Sequence, residues 1–83
     1  MNKENKVKVE GIIQSLKNTL NEVSSLYHKE QKPLEKLSTE QLFNRDIKTM
    51  ILQKNIEDLN IAQHHIYEVI SYLQNILCRE VTD

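Results

Sequence analysis

The sequence predicts an all-α fold, an antiparallel hairpin of two long amphipathic helices. Three observations predict it. The composition has one Gly, one Pro and no Trp, with abundant Lys, Glu, Gln, Asn, Leu and Ile, which describes long helices better than sheets. Apolar residues recur in alternating steps of four and three along two separate runs. A lone proline, Pro33, stands between those runs.

The first run is Val9, Ile13, Leu16, Leu20, Val23 and Tyr27, with Lys17, Asn18, Glu22 and Ser25 between. This is a narrow seam of the coiled-coil kind. The same register continues to Leu34 and Leu37, with only Glu30 off pattern. A proline in a helix interior costs roughly 3 kcal/mol, because it deletes a hydrogen bond and crowds the preceding turn. It also biases Lys32 away from helical geometry. Helix 1 is therefore expected over about residues 6–31, with a connection at 32–38.

"STEQ", Ser38 to Gln41, then reads as a capping box, with Glu40 near the positive helix end and Leu37 stapled onto Leu42. Helix 2 is expected over about residues 39–79, because neither Gly nor Pro interrupts it. Its seam is Leu52, Ile56, Leu59, Ile66, Ile70, Leu73 and Leu77, with Gln63 as the polar member. The whole of residues 1–83 reads as one domain.

These lengths make the arms unequal: about 25 residues against roughly 40, or about 60 Å at 1.5 Å per residue. The last three turns of helix 2 would then lack a partner within the chain. That end also carries a wider apolar face, with Ile61, Ala62, Val69, Tyr72 and Ile76 beside the seam. One neighbouring helix covers one stripe. The expectation is a chain completed as a four-helix bundle or coiled coil, by dimerisation or by a partner chain. The residues expected to form the shared surface are Ile61, Val69, Tyr72, Leu73, Ile76 and Leu77.

Charge bears on the partner. The net charge is -1, without the basic excess of a nucleic-acid binder. Lys3, Lys6, Lys8 and Lys17 spread around helix 1 and acids interleave them, so a small dimeric RNA-binding hairpin is the third-ranked reading. Residues 1–54 hold ten Lys or Arg and seven acids, net +3, whereas 55–83 hold one Arg and five acids, net -4. Such a split could orient two copies head to tail or favour a basic partner at the acidic end. No apolar run approaches a membrane span, and "MNKENKVKVEG" lacks the apolar block of a secretory signal. The expected location is cytoplasmic.

Chemistry-bearing residues are few. Glu57, His64 and Glu68 recur near one helical face, but the di-iron bundle signature is Glu-x-x-His on two helices, and adjacent His64 and His65 diverge by about 100°. Surface imidazoles are the expectation, with no metal and no cofactor. His28, near the expected end of helix 1, suits a capping role at the negative helix terminus. Cys78 has no histidine close in sequence to activate it. Tyr27, Tyr67 and Tyr72 are spaced as core and edge aromatics, the last two also suiting interface anchors. Phosphate loops, paired catalytic carboxylates and Cys-x-x-Cys are missing. A non-enzymatic chain is expected, with no catalytic residue.

"EDLNIAQHHIYEVISYLQ", Glu57 to Gln74, resembles the second helix of the small hairpin co-chaperones that guard needle subunits of type III secretion systems. The likeness lies in its Leu, Ala, Ile, Ile placement and the chain size, and covers about a quarter of the chain. It implies a helical protein partner. Class IIa bacteriocin immunity proteins are similar in size, but the chain carries none of their motifs. A chaperone or adaptor that buries an apolar helical stripe is thus the first expectation, and an immunity or inhibitor bundle the second.

Overall fold

The computed structural model describes residues 1–37 and 46–81. Two helices make the fold: α1, Lys3–Glu35, and α2, Ile47–Val81. They lie side by side as a hairpin about 60 Å long and 16 Å across. Leu26 and Glu30 of α1 share one groove with Asn55, Asp58 and Leu59 of α2. A parallel pair sharing that groove would stretch over about 70 Å at 1.5 Å per residue, so the 60 Å length means that the helices run antiparallel. No strand occurs among the described residues.

The α1 N-terminus lies three residues ahead of the expected start. Asn2 is its N-cap: the Asn5 N–H donates to Asn2 Oδ1 at 2.8 Å, and the Lys6 N–H donates to the Asn2 carbonyl at 3.0 Å. Glu4 in the first turn faces the positive end of the helix dipole and pairs with Lys8 at 3.6 Å.

The far end differs more. α1 does not stop at Gln31; it continues through Pro33 to Glu35. The missing bond falls in the last turn, where the helix has few further bonds to lose, and staying helical keeps Leu34 on the seam. Leu34 and Leu37 are both half-buried. Burial of such side chains contributes about 1.5–3 kcal/mol each when complete, enough in partial form to offset much of the proline cost. The Leu37 N–H then donates to the Leu34 carbonyl at 3.1 Å and turns the chain out of the helix.

Helix α2 begins at Ile47, and Asp46 caps it. The Thr49 N–H donates to Asp46 Oδ1 at 2.8 Å and the Met50 N–H to the Asp46 carbonyl at 3.1 Å. The Asp46 carboxyl sits below its usual pKa, chiefly because of that backbone hydrogen bond, then the Thr49 side chain, with a smaller contribution from Lys48. The expected capping box at Ser38–Gln41 lies outside the described residues. A helix from Thr39 could not run unbroken into α2, because Asp46 is not helical. From Ile47 onward α2 is continuous past Asn60 to Val81.

The arms are consequently near equal, 33 and 35 residues. Unpaired distal turns, expected from unequal lengths, are not found: Leu73, Ile76 and Leu77 are half-buried, as are Lys6 and Val9 on α1.

The seam itself matches the spacing in the sequence. With a and d as the seam positions of the heptad, α1 places Ile13, Leu20, Tyr27 and Leu34 at a, and Val9, Leu16, Val23, Glu30 and Leu37 at d. In α2, Ile56, Gln63, Ile70 and Leu77 are a, and Leu52, Leu59, Ile66 and Leu73 are d. Each of these is half-buried or buried, and Lys17, Asn18, Glu22 and Ser25 are exposed. Glu30 and Gln63 sit on the seam despite their polarity. Tyr27 keeps its hydroxyl satisfied by accepting from Gln31 Nε2 at 2.9 Å.

Candidate interaction surface

Full burial is rare in this hairpin. Among the described residues only Ile13 and Ile70 are buried, at 7% and 5% exposure. The antiparallel pairing that sets Leu26 beside Asn55 carries these two to about the same level. Around them the seam is one layer deep, so its flanks decide what the molecule can do.

Positions flanking the seam fall into two rows. The residue before each a position (g) and the residue after each d position (e) lie on opposite sides of it. In an antiparallel pair the two g rows adjoin each other, and so do the two e rows; the groove shared by Leu26 and Asn55, both g residues, shows the first of these directly. The g row of α1 is Ile12, Thr19, Leu26 and Pro33. On α2 it is Lys48, Asn55, Ala62, Val69 and Ile76.

The e row reads otherwise: Glu10, Lys17, Ser24 and Gln31 on α1, and Gln53, Asn60, Tyr67 and Gln74 on α2. One side of the hairpin is therefore polar except for Tyr67. The other is apolar over its half nearer the chain termini. Ile12 and Val69 are about half exposed there, at 50% and 46%, and Leu26, in the half nearer the connection, is 50% exposed. Water contact of this extent on three large side chains in one row is unfavourable by roughly 25 cal/mol per Å² left uncovered.

The middle of the g side is small. Thr19 and Ala62 stand at one level, since moving seven residues from Leu26 and Asn55 in opposite chain directions reaches both. Thr19 Oγ1 donates to the Ser15 carbonyl at 3.0 Å, which removes its need for a partner outside the helix. Lys8, Gly11, Ile12, Ser15 and Thr19 line a shallow groove along α1. A Cβ added at Gly11 would meet no atom within 4 Å.

The six residues expected to form a shared surface divide among three places. Val69 and Ile76 lie on the g row, Val69 exposed and Ile76 half-buried. Ile61 and Tyr72 are exposed on the outer side of α2, and Leu73 and Leu77 are half-buried on the seam facing α1. Missing from that expectation were Ile12, Thr19 and Leu26 of α1. An apolar residue just before an a position on both runs was the signal that could have found them.

The remaining chemistry is local. His65 Nδ1 lies 3.7 Å from Glu68 Oε2, and Lys54 reaches Glu57 and Asp58 at 3.9 and 3.4 Å, all within α2. His28 is not at a helix end as expected; it lies inside α1, with its ring edge-on to Tyr27 at 5.5 Å. Cys78 is a free, exposed thiol. Among the described residues no group of three or more His, Cys, Asp or Glu is placed to hold a metal ion, and no helix is long and apolar enough to cross a membrane. Comparison with protein-family models, with curated proteins and with solved structures found no match.

Proposed function

We propose that the chain is a non-enzymatic protein-interaction module, of the chaperone or adaptor kind, that buries an apolar helical stripe of a partner on the g side of its hairpin. The observation that carries this reading is the contrast between the two rows that flank the seam: Ile12, Leu26 and Val69 are exposed on the g side, whereas the e side carries one large apolar side chain, Tyr67. An amphipathic helix laid along the two g rows would meet Ile12 and Val69 as anchors and Thr19 and Ala62 as the low middle. The third helix would place its own apolar residues against a second layer of the core, which the seam alone does not supply. The cytoplasmic location expected from the sequence suits such a role.

Affinity capture with three forms of the chain tests it. Wild type and Tyr67→Asp should retain the same partner, because Tyr67 lies on the e side. Val69→Asp should lose it, since a carboxylate would be desolvated beneath the bound helix. Equal capture by all three forms would contradict the proposal.

A further inference from the structure

We infer that, when no other helix fills it, the g side is covered by a second copy of this chain, with the twofold axis running along the hairpins so that their chain termini lie at the same end and α1 of each copy rests on α2 of the other. The inference depends on the reading of this side as a helix-binding surface and names its resting occupant. Area is the first support. The chain exposes 6570 Å², whereas a compact monomer of 9.8 kDa exposes about 5,200 Å² by the usual scaling with mass. The difference, about 1,400 Å² per chain, would give a mutual interface of about 2,800 Å², inside the range of permanent dimers.

A symmetric partner recovers that surface on both chains at once. A single short helix would cover only part of it.

Charge is compatible with this orientation. α1, residues 3–35, holds six Lys and five Glu, net +1, and α2, residues 47–81, holds two Lys, one Arg and four acids, net -1. Setting α1 over the α2 of the other copy puts the more basic helix on the more acidic one. The alternative twofold, perpendicular to the length, sets α1 on α1 and α2 on α2.

Side-chain pairing adds a smaller preference. In the lengthwise arrangement, Ile12 and Val69 of one copy meet Val69 and Ile12 of the other, Thr19 meets Ala62, and Leu26 meets Asn55. The perpendicular arrangement would pair Ile12 with Leu26 but set Val69 against Asn55 and Ile76 against the charged Lys48. One like-charged pair results from the lengthwise choice, Glu22 facing Asp58 across the rim, but Asp58 already has Lys54 at 3.4 Å.

Disulfide trapping reads both the pairing and its orientation. Chains carrying Thr19→Cys and chains carrying Ala62→Cys, each also with Cys78→Ser, are mixed, unfolded, refolded together and oxidised, while the mass of the wild-type chain is measured by light scattering. The expected result is a two-chain mass, with the Thr19→Cys to Ala62→Cys link in excess over either self-link. Dominant self-linking of Thr19→Cys chains would overturn the lengthwise axis. A one-chain mass at high concentration would overturn self-association altogether, while the capture experiment would still decide the broader helix-binding role.

Discussion

Ile12, Thr19 and Leu26 precede the a residues of α1, while Lys17, Ser24 and Gln31 follow its d residues, and the two sets sit one residue off the same seam with the same helical backbone. α2 repeats the contrast, Ala62, Val69 and Ile76 against Asn60, Tyr67 and Gln74. What differs is only which neighbour of a seam residue is apolar. That single step in sequence moves a side chain from one flank to the other, so the hairpin acquires a wet side and a side that stays unfinished as an isolated pair.

The difference teaches where stability and binding separate. Seam residues hold the two helices together on either reading, whereas the flanks matter only for what comes next. Substitutions can therefore be ranked by how far they reach beyond the seam.

The largest effect is expected at the seam. Ile70→Ala removes one of the two buried side chains and should cost about 2–5 kcal/mol, abolishing both flanks together; helix content followed by circular dichroism through a urea titration measures it. A loss well under 1 kcal/mol would mean that the seam is not where the fold is held.

Next come the paired flank substitutions. Val69→Asp should weaken self-association at least tenfold, about 1.4 kcal/mol, whereas Tyr67→Asp should leave both association and stability within about 0.5 kcal/mol of wild type. Sedimentation over a concentration series separates the two, and equal behaviour would erase the distinction between the flanks.

Pro33 lies on the g row at the connection end, where the apolar character stops. Pro33→Ala restores a donor for the Lys29 carbonyl and should raise stability by about 1–2 kcal/mol, the helical cost of proline reduced by its stiffening of the unfolded chain. Thermal melting reads the change. A fall in stability would show that Pro33 packs against something its exposed position does not suggest.

The smallest effect is at Asp46. Its carboxyl is depressed in the folded chain, so the contribution is fully present above the unfolded-state pKa and is lost as pH falls through the lower folded value. Asp46→Asn keeps an N-cap acceptor without the charge. The melting temperatures of the two forms should differ most at neutral pH and converge in acid; a gap that widens in acid would refute the capping role.

Much of this was legible in the sequence. The seam residues from Val9 to Tyr27 and from Leu52 to Leu77 follow from spacing alone, because burial on one face needs only local periodicity. Ends were less legible, since Asn2 and Asp46 are single polar residues whose capping role depends on which of several neighbouring candidates the chain uses. Pro33 was misread because its local cost is visible in the sequence, while the burial of Leu34 that offsets it depends on the second helix.

The candidate surface was the least legible. Ile61 and Tyr72 look continuous with Val69 on α2 taken alone. Pairing with α1 is needed to show that Val69 sits beside Ile12, and pairing depends on the length and path of the connection. Leu73 and Leu77, seam residues by their spacing, were expected to meet a partner because the second helix was expected to outrun the first; with arms of 33 and 35 residues they face α1.

Thiol labelling compares the flanks most directly. Thr19 and Lys17 are both exposed in the hairpin, so Thr19→Cys and Lys17→Cys, each with Cys78→Ser, start from equal access to a maleimide. As the protein concentration rises, labelling at position 19 should slow markedly while position 17 stays fast. Equally rapid labelling at both positions across that range would contradict a covered g side.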